Sequence, residues 1–215
     1  MSFHPNPASS ESGSSSAPTT AGATTAWRNS LKQDFVRVPG TATQFSVWKT
    51  RVADFAAFVA DHAVNEGYDY RRGCAPEILR ADGYKNRGWD FGWNNPGFPQ
   101  DRDHPVACVD WEDARSFCRW LTAREHRGGT LPGDRCYRLP TDSEWSCAVG
   151  LGGIEGPGTP RQKSRQIEGV FPWGTAWPPP PGSGNYCGEE CAGSDLPAGW
   201  TLLAGYRDSF PFTSP

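Results

Sequence analysis

Glycine and proline break the chain before any helix can become long. With 25 Gly and 20 Pro among 215 residues, almost every window able to hold a bundle helix contains a residue that costs helix entropy or removes a backbone donor. A long-helix bundle is excluded. The same residues supply turns and irregular backbone, and 10 Trp supply large rigid core pieces whose indole N–H groups need partners. A loop-rich domain with short helices and short strands is predicted. Arg or Asp punctuates every apolar run, so no stretch approaches the roughly 20 apolar residues of a membrane span, and the chain reads as soluble. Lys+Arg 21 against Asp+Glu 24 gives a net charge of −3, too balanced for phosphate-driven nucleic-acid binding or attraction to an anionic membrane.

Residues 1–26 are mostly Ser, Thr, Ala, Gly and Pro. Burial there cannot offset ordering entropy, so they read as a disordered tail or linker ahead of one domain over 27–215. Phe35-Val36-Arg37-Val38 and the alternating 43–50 predict two strands joined by a turn at Pro39-Gly40. Val52, Phe55, Ala56, Val59 and Ala60 recur at helical spacing and predict a helix ending before Gly67. No period is visible over 68–103, which reads as a functional loop or one packed by Trp89 and Trp93. His104-Pro105 predicts an extended strand start before Val106 and Val109. Asp110 stands at an N-cap position with Asp113 three residues on; Trp111, Ala114, Phe117, Cys118 and Leu121 form the stripe of a helix stopping between Arg124 and Gly128. Thr141-Asp142-Ser143-Glu144 is a capping box for a third helix with Trp145, Ala148 and Val149 on its buried face. Capped amphipathic helices must bury their stripes, so Trp111, Phe117, Leu121, Trp145 and Trp173 are expected in one core cluster.

The seven cysteines, Cys74, Cys108, Cys118, Cys136, Cys147, Cys187 and Cys191, are odd in number and form no CxxC pair, which gives a structural zinc site little support. Met1-Ser2-Phe3-His4 opens without a basic or apolar leader, so reduced thiols and a cytoplasmic location are the expectation.

Three stretches together carry a resemblance: His104-Pro105-Val106-Ala107-Cys108-Val109-Asp110-Trp111-Glu112-Asp113-Ala114 continuing through Phe117-Cys118-Arg119-Trp120-Leu121; Tyr137-Arg138-Leu139-Pro140-Thr141-Asp142-Ser143-Glu144-Trp145; and Phe171-Pro172-Trp173-Gly174. In order and spacing they resemble the sulfatase-modifying factor family, which includes the formylglycine-generating enzymes, and most closely copies fused to bacterial protein kinases. The resemblance implies an α+β domain of the C-type-lectin-like fold. It also implies a parent activity that oxidises a cysteine of a sulfatase-like peptide or protein to formylglycine with Cu(I) and oxygen. Family members continue past a Gly-Asn-Val-Trp-Glu-Trp-type motif to their catalytic cysteines. Residues 27–215 therefore read as the N-terminal and central part of such a domain, none of the seven cysteines inherits the catalytic role, and no catalytic residue is assigned.

The resemblance further implies a calcium ion held by the side chain of Asn185, the carbonyl of Tyr186, the side chain of Asp208 and the carbonyl of Phe210. Those oxygens suit a hard cation that takes roughly 6–8 of them; read without the family, the same residues are two loop turns that need no ion. Cys118 reads as a buried small hydrophobe, and Cys187 and Cys191 as a local disulfide or surface thiols, because acidic neighbours disfavour a thiolate. His62, His104 and His126 are isolated, which leaves an iron site of the sulfoxide-synthase kind without its His/Glu cluster. The paired carboxylates Glu112-Asp113 and Glu189-Glu190 read as solvated positions. Two functions compete: the formylglycine-generating type, and a non-catalytic lectin-like binding module attached to a signalling protein such as a kinase.

Overall fold

The computed structural model describes residues 27–61, 79–80, 83–84, 91–164, 166–193 and 200–215, with backbone alone at 79–80 and 83–84. The expected tail over 1–26, His62, Cys74, Trp89 and much of 68–103 lie outside the described residues.

Strands β1 (Trp27–Arg28), β2 (Asp34–Arg37) and β3 (Gln44–Ser46) form an antiparallel sheet in that order. The β2–β3 hairpin is the predicted one, with Val36 opposite Phe45. Its turn needs Gly40, which sits at φ +80°, a conformation that disfavours side chains with a β-carbon. β1 is too short to read from sequence; Trp27 pairs with Phe35, and its indole N–H donates to the Tyr137 hydroxyl at 3.0 Å. A second antiparallel pair, β4 (Leu79–Arg80) and β5 (Gly83–Tyr84), lies within the stretch without period.

The core forms where α1 (Val52–Ala60) meets α2 (Trp111–Arg127). Phe55, Phe58, Phe117, Trp120 and Leu121 are its buried centre, with Leu31, Trp93 and Tyr137 packed around them. Phe58 and Trp120 rings lie 5.5 Å apart, and the Trp120 indole N–H donates to Asp61 Oδ2 at 2.9 Å. That bond gives the buried indole the polar partner it needs. α2 begins as predicted: Asp113 N donates to Asp110 Oδ1 at 2.8 Å, and Asp110 N donates back to Asp113 Oδ2 at 2.9 Å. Glu112 pairs instead with Arg115 at 3.0 Å.

The expected single cluster is corrected. Trp111 is 62% exposed and Trp145 55% exposed. Trp111 is the first residue of α2, at the rim of the helix pair, and the Arg115 guanidinium covers its ring at 4.5 Å. The buried stripe is instead Phe117, Trp120, Leu121 and Glu125, which leaves Cys118 half-buried. α3 (Asp142–Ala148) is too short to present a stripe, and its buried residue is Ser146 rather than Trp145, Ala148 or Val149. Polar contacts hold it. Glu144 accepts from Arg138 at 2.6 and 2.7 Å, from Thr43 Oγ1 at 2.5 Å and from Thr141 N at 2.8 Å. Lys163, at the end of α4 (Pro160–Lys163), donates to Asp142 at 2.9 Å and to Glu155 at 3.0 Å.

Two further expectations change. His104-Pro105 is extended but starts no strand: Pro105 makes an isolated bridge with Arg51, and Val106 N donates to Thr50 O at 2.9 Å. Cys108 is disulfide-bonded, against the expectation of reduced thiols throughout, while Cys118, Cys136, Cys147, Cys187 and Cys191 are free. Among the described residues no helix is long and apolar enough to cross a membrane.

Candidate functional site

Beyond α4 the described residues form almost no regular structure, and what organises them is an aromatic cluster. Phe171 N donates to Gly174 O at 2.8 Å, and Gly174 N returns a bond to Phe171 O at 2.9 Å. This tight turn stacks Trp173 on Phe171 with centroids 4.9 Å apart. Trp173 then meets Tyr186 edge-on at 5.3 Å, and Tyr186 meets Tyr206 at 5.7 Å. Trp173 thus belongs to this second cluster and not to the helical core.

The cluster supports two loops that carry the sequence-predicted ion ligands. Tyr186 N donates to Asp208 Oδ2 at 2.8 Å and Phe210 N to Asp208 Oδ1 at 2.8 Å. Ser209, at φ +73°, completes the turn. Asn185 Nδ2 donates to Phe212 O at 3.1 Å, and the Tyr206 hydroxyl donates to Gly184 O. The structure therefore brings Asn185 and Tyr186 together with Asp208 and Phe210 across two loops. The donor set is oxygen only: the Asp208 carboxylate, Asn185 Oδ1 and two carbonyls. Each Asp208 oxygen accepts one backbone N–H and retains a lone pair, and oxygen donors of this kind are the type a hard cation takes. The same bonds close both turns without an ion, the alternative read from the sequence.

The thiols are less suited to catalysis. Burial pushes the Cys118 thiol up to about 11. Burial, the neighbouring Cys187 thiol, and the carboxylates of Glu190 and Asp208 push Cys191 up to about 11. Cys191 Sγ donates to Pro211 O at 3.5 Å. A Cu(I) site requires two thiolates; burial, the Cys187 thiol and the carboxylates of Glu190 and Asp208 disfavour the thiolate of Cys191, which makes this environment poorly suited to copper.

Sequence reasoning missed three features here. Tyr206 is 2% exposed and carries no periodic signal that would mark it as core. Both carboxylate oxygens of Glu190 are buried without a hydrogen-bond partner, whereas Glu189 is the solvated member of the pair, bonded to Arg207 at 3.0 Å. A cavity of about 760 Å³ opens beside Asn185 and Tyr186, lined also by Val47, Trp48, Arg51 and Asp103. Its walls come from opposite ends of the described chain, so no local motif announces it. His104 and His126 make no shared cluster: His104 Nδ1 contacts Thr213 Oγ1 at 2.9 Å, and His126 Nε2 contacts Arg135 O at 2.9 Å.

The model of the sulfatase-modifying factor enzyme 1-like domain matches residues 19–189. The chain belongs to this family. Over 92 residues it is 30% identical to a Bos taurus protein named inactive C-alpha-formylglycine-generating enzyme 2, a stretch covering 40% of this chain and 22% of that relative. The chain thus spans less than a quarter of the curated relative it matches. No solved structure matches. Within this sulfatase-modifying factor domain, Asn185 and Tyr186 fall inside the matched range, whereas Asp208 and Phe210 lie beyond it. The α+β architecture, with a small sheet and short helices, accords with family membership.

Proposed function

We propose that this chain is the scaffold of a formylglycine-generating type domain with the C-type-lectin-like fold: it binds a cysteine-containing, sulfatase-like peptide or protein and leaves cysteine oxidation to thiols outside the described residues. Family membership over residues 19–189 carries the reading. The cavity supports it, because Trp48 and Val47 offer apolar surface while Arg51 and Asp103 offer both signs of charge, a mixture suited to an extended peptide. In the parent reaction copper and oxygen supply the oxidation, and no step of it is assigned to this chain's residues. Calcium, held by Asn185, Tyr186, Asp208 and Phe210, is a structural ion that ties the two loops together.

The test has two arms. Incubation with Cu(I), oxygen and a Cys-X-Pro-X-Arg peptide is expected to leave the peptide mass unchanged; turnover abolished by Cys187→Ser or Cys191→Ser would overturn the assignment. Calcium is expected to raise the melting midpoint of the parent chain and not that of the Asn185→Ala, Asp208→Ala double variant, since an ion that binds only the folded state stabilises it by mass action. Identical curves in calcium and in chelator would remove the ion. A second reading, a non-catalytic binding module attached to a signalling protein such as a kinase, draws support from the matched relative's name, which calls that protein inactive. Peptide binding without turnover in the full-length protein would favour it.

A further inference from the structure

Residues 186–191 fold back on themselves. Gly188 N donates to Tyr186 O at 2.8 Å and Cys191 N to Gly188 O at 3.2 Å, which closes the 3-10 turn Glu189–Cys191. The return folds Cys191 back toward Cys187 four residues earlier, and both thiols are free. Gly188 between them is buried with no room for a β-carbon, which would sit 2.6 Å from Tyr206 O. The turn is therefore held to one path. Both ends are also stitched to the facing loop: Leu203 N donates to Cys187 O at 2.8 Å, Glu189 N to Tyr206 O at 2.9 Å, and Cys191 Sγ to Pro211 O at 3.5 Å.

We propose that Cys187 and Cys191 form a reversible dithiol–disulfide pair whose closure rigidifies the turn bearing Asn185 and Tyr186, replacing the Cys191 S–H bond to Pro211 O with a covalent link inside the turn. The oxidant is a low-molecular-weight disulfide. Cys187, the more accessible thiol, attacks one of its sulfurs and expels one small thiol, leaving a mixed disulfide; Cys191, 3% exposed, then attacks the Cys187 sulfur and expels the second. Two protons and two electrons leave the protein thiols, one S–S bond forms in the protein, and one breaks in the oxidant. Closing so short a loop restricts the unfolded chain as well as the native turn. The lock operates with or without a bound cation.

The full chain would be treated with oxidised glutathione in chelator, alkylated and digested with trypsin. Residues 166–207 form one tryptic peptide in which Cys187 and Cys191 are the only cysteines. The expected product is that peptide unalkylated and lighter by two hydrogens. Oxidised glutathione should raise the melting midpoint of the chain by roughly 4–8 °C over the untreated chain and leave it unmoved in Cys187→Ser and Cys191→Ser. Glutathione adducts without an internal bond would overturn the proposal, as would an internal bond that leaves the midpoint unmoved or a shift retained in both serine variants. Because the peptide mass is read on the unaltered chain, the pairing stays testable even where a serine variant fails to fold. Because calcium is absent throughout, failure of the ion reading would leave the outcome unchanged.

Discussion

Phe58 and Trp120 meet where water has gone, at 0% and 1% exposure, whereas Asn185 and Asp208 join two loops through hydrogen bonds open or half-open to solvent. In the helical core, stability is spread over five interlocking apolar side chains, and losing one subtracts area and leaves a cavity. In the loop pair each bond contributes only about 0.5–1.5 kcal/mol, and the arrangement depends on a few positions where nothing else fits. The core tolerates change by degrees. The loops are sensitive to geometry, which is what a binding site or a redox lock requires.

The sharpest test of this contrast is Trp120→Ala, expected to cost roughly 3–5 kcal/mol in denaturant unfolding because the residue is fully buried and its space cannot be refilled. A loss under about 1 kcal/mol would show that the α1–α2 contact does not organise the domain. Gly188→Ala probes the loops: the added carbon would lie 2.6 Å from Tyr206 O and 2.7 Å from Glu190 Oε1, and the expected cost is about 1–3 kcal/mol. Amide exchange should rise over 184–191 while the α2 amides keep their protection; equal loosening of both regions would erase the distinction.

Glu144 stands between the two regimes, anchoring α3 by charge. Arg138, then the Thr141 amide and the Thr43 hydroxyl, hold its carboxyl well below the ordinary 4.5. A depressed carboxyl contributes stability that is fully present above its unfolded value and lost as pH falls through its folded one. The acid limb of stability should therefore begin near pH 4.5 and steepen downward, and Glu144→Gln should flatten it while costing about 1–2 kcal/mol at neutral pH. An unchanged acid limb would assign that limb to other carboxylates. The smallest effect is expected at Trp145→Ala, below about 1 kcal/mol, since the ring is 55% exposed and touches Phe45 only at 6.4 Å between centroids. A core-sized loss would restore Trp145 to the single cluster that sequence periodicity predicts.

Local grammar was legible in the chain itself. The Asp110 and Thr141 caps, the β2–β3 hairpin and the limits of α2 all follow from bonds between residues no more than about a dozen positions apart, and such bonds are written in sequence spacing. The pairing of Asn185 and Tyr186 with Asp208 and Phe210 came from family resemblance, since nothing in their spacing alone selects an ion over two turns. Which tryptophans are buried was decided by tertiary structure: Trp111 and Trp120 have the same side chain on one helix, and only the position of α1 determines that one faces Phe58 and the other solvent. Burial depends on what occupies the opposite face. The same reason hid Tyr206, Gly188 and the cavity at Trp48, each defined by a partner segment that periodicity cannot see.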